Sequence, residues 1–279
     1  MFNLKKIVAL LALALLLAVF LYGENNLVAV NYLTLNLDNL PTAFTGLKIV
    51  HLSDLHGKSF GKEQRGIVQK VKAAQPDLVV FTGDLIDRRH GGAKAGLELL
   101  DRLAKIAPVY YVTGNHEGWA GTFDTLRPQL EKRNVKVLSN THHRLQRGED
   151  SIYILGIDDP AFQCKSYRQG ELIRPELKAA LEGTDSFTIL LAHRPELIET
   201  YSHFGIDLVF SGHAHGGQIR LPLVGGLVAP GQGFFPRYTS GIYREGSTVL
   251  VVSRGLGNSV FPQRLFNRPE IVVVTLNRN

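Results

Sequence analysis

Cysteine is almost absent from this chain of 279 residues: Cys164 stands alone. No internal disulfide is available, so cysteine usage does not point to a compartment. A lone thiol outside any recognisable motif reads as free and inert. No run of lysine and arginine marks a nucleic-acid-binding tail, and no nucleic-acid or protein partner is called for. No internal repeat and no low-complexity stretch is present. Charge is moderate, with 20% charged against 44% hydrophobic residues, a balance that permits a sizeable core and argues against global disorder. The formal net charge of +6 is a modest basic excess, suited to an anionic substrate or a lipid surface.

What the sequence does have begins at residue 7. From Ile7 to Tyr22 no side chain is polar except the final phenol, and Lys5 and Lys6 precede the run. Basic residues before an apolar run describe a signal peptide or a signal anchor. The run lies near the lower limit for crossing a bilayer, and large side chains at Phe20 and Tyr22 make poor cleavage positions. The expectation is a retained single-span anchor over residues 1–23 in the cell membrane. The two lysines favour a cytoplasmic N-terminus with the rest of the chain outside. The alternatives are a catalytic domain on the cytoplasmic face, or cleavage and export.

Residues 24–46 read as a tether carrying one strand, because Val28, Val30 and Tyr32 alternate with Ala29, Asn31 and Leu33. From Leu47 to the C-terminus a single domain over residues 47–279 is expected. Short apolar runs there end abruptly in polar motifs. Leu47–Leu52 leads into Ser53-Asp54-Leu55-His56-Gly57. Leu78–Phe81 leads into Thr82-Gly83-Asp84, and Val109–Val112 into Thr113-Gly114-Asn115-His116-Glu117. Phe187–Leu191 leads into Ala192-His193-Arg194-Pro195, and Leu208–Phe210 into Ser211-Gly212-His213-Ala214-His215-Gly216-Gly217. Continuous apolar runs of this length suit strands buried on both faces. Residues 62–74, 93–106 and 122–133 read as amphipathic helices between them. A hairpin is expected around Gly148-Glu149-Asp150, with later strands at 248–253 and 271–276. The class is α/β (α+β), with two packed sheets and helices outside. The polar motifs gather at the C-terminal strand edge, where ligands bind in α/β sheets.

Seven side chains are candidate metal ligands: Asp54, His56, Asp84, Asn115, His193, His213 and His215. Oxygen and imidazole donors suit borderline divalent ions such as manganese, iron or zinc. A lone Asp-x-His or Gly-Asp is usually structural. The paired histidines of Gly212-His213-Ala214-His215-Gly216-Gly217 are harder to explain as a turn. Residues two apart point the same way in extended chain, so Asp54 with His56, and His213 with His215, are expected to face one cluster from extended backbone.

Asp54-Leu-His56, Gly83-Asp84-Leu-Ile-Asp87-Arg88, Gly114-Asn115-His116-Glu117, His193 and Gly212-His213-Ala-His215 together resemble the calcineurin-like metallophosphoesterase superfamily. The pattern is similar to its membrane-anchored bacterial subgroup, some of whose members hydrolyse UDP-diacylglucosamine at its pyrophosphate. The resemblance implies a four-layer α-β-β-α sandwich and two divalent metal ions per subunit. It places Asp54, His56 and His215 on the first metal, Asn115, His193 and His213 on the second, and Asp84 between them. His116 is implied as the catalytic residue beside the leaving-group oxygen. In such a centre two cations about 3.5–4 Å apart would ionise a shared water near neutrality and so supply the hydroxide that attacks phosphorus in line with the departing alcohol. A broad phosphatase or nuclease on the outer face uses the same centre. A non-catalytic metal-binding protein on this scaffold is disfavoured, because all seven donors and His116 are kept.

Two neighbours are weaker candidates. Asp87 either orients a ligand histidine or pairs with Arg88 at the surface. Arg194 either reaches a phosphoryl oxygen with its fork or plays a structural part. His142 and His143 read as ordinary surface residues. After Ile219 come seven arginines and no lysine, most of them expected to tie loops through backbone carbonyls. Residues 221–236 are apolar but rich in glycine and proline, which rules out a regular helix. The segment is expected to fold onto the core, or else to form an apolar rim beside the site that would fit a lipid-linked phosphate substrate.

Overall fold

A computed structural model describes residues 4–163, 169–258 and 261–279. Cys164 lies outside the described residues. In chain order the regular elements begin with α1 (Leu4–Asn26), β1 (Ala29–Leu37), β2 (Leu47–Leu52), α2 (Arg65–Ala74), β3 (Leu78–Thr82) and α3 (Ala93–Leu103). They continue with β4 (Val109–Val112), α4 (Asn115–Ala120), α5 (Phe123–Glu131), β5 (Val135–Val137), β6 (Thr141–Arg147) and β7 (Asp150–Gly156). Then follow α6 (Gln169–Leu172), α7 (Arg174–Leu181), β8 (Thr188–Leu191), α8 (Ile198–His203) and β9 (Leu208–Ser211). Four two-residue strands come next: β10 (Arg220–Leu221), β11 (Gly225–Gly226), β12 (Val228–Ala229) and β13 (Gly233–Phe234). The chain closes with β14 (Gly241–Glu245), β15 (Thr248–Val252) and β16 (Glu270–Arg278).

The strands form two six-stranded sheets, ordered β1-β16-β2-β3-β4-β5 and β14-β15-β9-β8-β7-β6. In the first, β2, β3, β4 and β5 run parallel, and β16 pairs antiparallel to β2. In the second, β7, β8, β9 and β15 run parallel between two antiparallel edges. The apolar runs are buried on both faces because three apolar layers flank the two sheets. Ile49, Val80, Tyr110, Ile189 and Phe210 fill the space between the sheets. Ile67 and Val71 of α2, with Leu99 and Leu103 of α3, cover the outer face of the first sheet. Leu177 of α7 and Ile198 and Tyr201 of α8 cover the second. The result is an α-β-β-α sandwich.

The strand expected in residues 24–46 forms at a sheet edge, and two other elements depart in detail from the sequence reading. The helix expected over 62–74 divides at Gln64, whose left-handed backbone separates a short 3₁₀ turn from α2. The alternating strand of residues 29–37 is the edge of the first sheet, parallel to β16 in an unbroken register from Ala29↔Glu270 to Leu37↔Arg278. Residues 221–236 touch the core only in part, with Ala229 buried in the outer layer of the second sheet. They form the hairpins β10–β11 and β12–β13, and leave Leu223, Phe234 and Phe235 exposed.

α1 is a 23-residue helix whose apolar side chains face outward all round, none of its most apolar stretch being covered by the rest of the chain. Its last turn is tied to the domain. Glu24 pairs with Arg268 Nε at 3.0 Å and accepts the Asn267 backbone N–H at 2.9 Å. Asn25 Oδ1 accepts the Arg264 backbone N–H at 2.8 Å.

Candidate metal centre

All seven candidate ligands lie at the C-terminal ends of β2, β3, β4, β8 and β9, and all are buried. The backbone that aims them is not extended. Asp54 (φ 54°), His56 (φ 48°), Asp84 (φ 55°), His213 (φ 64°) and His215 (φ 47°) are all left-handed. The i, i+2 pairs do face one cluster, but from tight turns, which corrects the expectation of extended chain. Such backbone costs on the order of 1–2 kcal/mol per non-glycine residue, and it bends the chain back over the sheet edge so that donors from separate strands converge. Close approach of those loops makes the neighbouring glycines necessary. A Cβ at Gly114 would overlap the Asp84 carboxylate, and one at Gly212 would overlap Ser53 Oγ and the Asp54 carboxylate.

The donors form two groups that share Asp84. Asp54, His56, Asp84 and His215 offer ligand atoms within 4.8 Å of one another, and so do Asp84, His193 and His213. His56 Nε2 and His215 Nε2 are 3.1 Å apart, and His215 Nε2 is 3.3 Å from Asp54 Oδ1. On the other side, His193 Nε2 lies 3.1 Å from Asn115 Oδ1, 3.2 Å from His213 Nδ1 and 3.3 Å from Asp84 Oδ2.

The proton inventory tests whether these residues fit cations. His193 Nδ1 lies 2.7 Å from the Thr82 carbonyl, which can only accept, so Nδ1 carries the proton. In the neutral ring Nε2 therefore presents a lone pair, and its neighbours Asn115 Oδ1 and Asp84 Oδ2 present lone pairs too. Lone pairs converging in this way repel unless a positive charge sits among them, either a proton on Nε2 or a cation in its place. Burial favours the neutral His193 ring, yet the Asp84 and Asp54 carboxylates outweigh it and push its pKa up to about 10. The same acidic field is what a cation would meet. Burial likewise opposes ionisation of Asp84, but His193, His56 and His116 hold it well below the usual carboxylate range. Buried imidazoles, carboxylates and one amide oxygen suit manganese, iron or zinc, so the donor set fits.

His116 stands beside the cluster in a cleft of about 200 Å³ lined also by Arg88, Arg89, His90, Trp119 and Pro230. Its Nδ1 accepts the Arg88 backbone N–H at 3.1 Å, which leaves the proton of the neutral ring on Nε2. Burial, only partly offset by Asp84, pulls its pKa down to about 4. Asp87 lies under both His56 and His116, its Oδ2 3.7 Å and 3.4 Å from their Nδ1 atoms, while its Oδ1 accepts the backbone N–H groups of Arg89 and His90. No ion pair joins it to Arg88 among the described residues. Arg194 turns its fork to Asp159, with Nε to Oδ2 at 2.8 Å and Nη2 to Oδ1 at 3.0 Å, so the bidentate face is already taken.

Three residues not singled out from the sequence complete the surroundings. Glu117 is buried and accepts backbone N–H groups of Asp84 (2.8 Å), Gly114 (2.7 Å) and Ile86 (3.1 Å), which clamps the β3 and β4 loops together. It belongs to the Asn115-His116-Glu117 motif, and a carboxylate directly after two site residues was the signal. Asp159 follows β7 in the same strand-then-polar pattern that exposed the ligands. Asn267 donates to the carbonyls of His215 (2.8 Å) and Gln218 (2.9 Å), and no local motif marks it. Of the late arginines, Arg264 is buried and donates to the carbonyls of Asn267, Arg254 and Gly257, and Arg220 donates to the Gly216 carbonyl.

Comparison with known proteins places this geometry. Residues 47–217 match the calcineurin-like phosphoesterase family. The chain is 33% identical over 261 residues to the uncharacterized metallophosphoesterase YkuE of Bacillus subtilis, covering 91% of this chain and 87% of that protein. It is 31% identical over 252 residues to a transmembrane protein with metallophosphoesterase domain from Danio rerio, covering 86% of this chain and 55% of that longer protein. Among solved structures, TT1561 of Thermus thermophilus superposes with a TM-score of 0.51 at 16% identity, over 76% of this chain and 91% of that one, a likeness of fold.

Proposed function

The chain belongs to the calcineurin-like phosphoesterase family and is a metal-dependent hydrolase of phosphoric esters; from that premise we propose that it cleaves a phosphodiester or pyrophosphate bond in a lipid- or nucleotide-linked substrate, using two divalent ions. The observation that carries this reading is the convergence of His193 Nε2, Asn115 Oδ1 and the Asp84 carboxylate on one point, with Asp84 common to both donor groups. In it, Asp54, His56 and His215 hold one ion, Asn115, His193 and His213 hold the other, and Asp84 belongs to both. When bound, the pair supplies Lewis acidity toward the phosphoryl oxygens and a water ionised near neutrality.

The chain's own groups do the rest. Asn115 contributes a neutral oxygen, so the site does not accumulate negative charge against an anionic substrate. The Thr82 carbonyl fixes the His193 ring, and Asp87 lies within reach of the Nδ1 atoms of His56 and His116. His116 Nε2–H is the proton donor to the departing oxygen, a role that typically contributes 10²–10⁴-fold. Arg88 and Arg89 line the same cleft and bring positive charge to an entering phosphate. α1 serves as a single-pass anchor, and Lys5 and Lys6 favour a cytoplasmic N-terminus with the catalytic domain outside.

The test is a panel assayed with Mn²⁺ on the full chain in detergent: UDP-diacylglucosamine, an aryl phosphodiester and mononucleotides. The expected result is turnover of the diesters, with a sharp kcat/KM preference for the lipid-linked compound, and loss of both metal and turnover in Asp84→Asn. Unchanged activity in Asp84→Asn would overturn the metal assignment. Equal rates across the panel would remove the lipid-linked substrate.

A further inference from the structure

We infer that the hairpins β10–β11 and β12–β13, together with Phe266, form a second membrane contact that dips into the lipid surface beside α1 and opens the catalytic cleft onto it. The inference rests on the reading of α1 as a membrane anchor. It goes beyond anchoring, because it fixes which face of the domain meets the bilayer.

Three observations carry it. The first is continuity. The Phe20 ring of α1 packs on the Phe266 ring with centroids 5.6 Å apart, and Gln263 Nε2 donates to the Leu21 carbonyl at 3.0 Å. Leu265, next to Phe266, accepts the Arg220 backbone N–H at 3.0 Å, so β10 starts alongside the segment that α1 touches. The segment that α1 touches therefore lies beside the strand that opens the hairpins.

The second is exposure without a folding benefit. Leu223 is fully exposed, and Phe234 and Phe235 are 82% and 70% exposed. Val224 and Phe266 are also more than half exposed. Three of these residues are doubly unfavourable in water, because Leu223 (φ 69°), Phe235 (φ 52°) and Phe266 (φ 50°) sit on left-handed backbone. Bulky residues are rare there for steric reasons, and an aqueous protein gains nothing by holding them in that conformation pointed at water. An apolar patch of this kind marks an interaction surface, and an amphipathic interfacial element buries such side chains at the headgroup–acyl boundary.

The third is position. The backbone N–H of Leu227, between the hairpins, donates to the Gly217 carbonyl at 3.1 Å, just past His215. Pro230, in the β12–β13 turn, lines the cleft with His116, His213 and His215. The β12–β13 turn therefore contributes to the wall of the cleft, and the exposed apolar side chains of the hairpins belong to the same segment. The exposed Arg237 that follows them suits an anionic headgroup.

The experiment uses the full chain reconstituted in phosphatidylglycerol–phosphatidylcholine vesicles, with and without lipids brominated near the top of their acyl chains. Tryptophan is introduced one site at a time at Leu223→Trp and Phe234→Trp, and the Trp119 background is subtracted using the parent chain. Leu13→Trp in α1 reports the anchor, and Glu149→Trp in the β6–β7 turn, at the opposite end of the sheet, reports water. The expected result is a blue-shifted emission at 223 and 234 that brominated lipid reduces by about half, with no reduction at 149. If 13 is quenched while 223 and 234 are not, the second contact is overturned and the anchor stands. If 13, 223 and 234 are all unquenched, both fall. Neither result depends on turnover, so the catalytic assignment is decided separately.

Discussion

At the scale of the residue, two histidines that burial holds neutral, His116 and His51, each carry a prediction. His116 is held neutral with its proton on Nε2. His116→Ala is expected to keep metal and slow hydrolysis by about 10²–10⁴-fold for an alkyl leaving group, and far less for a nitrophenyl one. A uniform loss across leaving groups, measured as kcat, would remove the proton-donor role. His51 lies between the sheets, fully buried, with Nε2 2.8 Å from Thr82 Oγ1 and its ring edge-on to Phe210. Burial pushes its pKa down to about 3. The unfolded chain takes up that proton below about pH 6.5, so the folded state loses stability as pH falls through 6.5 toward 3. At pH 5 the loss from this one ring is about 2 kcal/mol. Urea unfolding at pH 7 and pH 5 should show a correspondingly smaller acid penalty in His51→Gln; equal penalties in both proteins would refute it.

The candidate ligands that the fold brings together were legible in the sequence, since Asp54, Asp84, Asn115, His193 and His213 each follow closely on an apolar run. What could not be read was the backbone that aims them. Left-handed φ at five donors is imposed by the packing of neighbouring loops, and nothing local in Asp-Leu-His or His-Ala-His announces it. Arg194 shows the same limit: its fork was available to phosphate until the fold set Asp159 against it.

At the scale of the element, the strand-to-loop junctions carry the site, and two glycines set how closely those junctions meet. Gly114→Ala is expected to push the β4 loop off Asp84, costing about 1–3 kcal/mol in stability and weakening Mn²⁺ binding about tenfold or more, by misplacing Asp84 and Asn115. Calorimetric titration of Mn²⁺ checks it, and wild-type affinity would show the overlap is relieved elsewhere. Strands buried on both faces and the helices between them were readable from apolar runs and helical spacing, because those patterns reflect the layers directly. The four two-residue strands were not. Their residues carry no period, and glycine and proline leave many conformations equally open to residues 221–236.

At the scale of the whole molecule, pairing across long sequence distance is what pattern alone does not reveal. The alternation in residues 29–37 announced a strand, but not that it would lie beside β16, more than two hundred residues later. Leu35, Leu37, Leu40 and Phe44 enter the apolar layer between the sheets from this segment. A chain beginning at residue 47 forfeits four buried side chains at about 1.5–3 kcal/mol each and bares the edge of β16. It is expected to unfold or aggregate, whereas a chain beginning at residue 24 keeps them and folds. Comparing the two by thermal unfolding decides it; a cooperative transition at unchanged temperature in the shorter chain would make the segment dispensable.

Glu24 closes the last turn of α1 and holds the Asn267 N–H, while the Asn267 amide holds the carbonyl of His215. The helix proposed as the anchor and His215, a proposed metal ligand, are thus joined through a single intervening asparagine. A change in helix tilt, as a thicker or thinner bilayer would impose, would act on that short linkage, which on the proposed reading ends at a metal ligand. Lipid chain length therefore becomes a variable that turnover should sense, with Asn267 as the mechanical coupling.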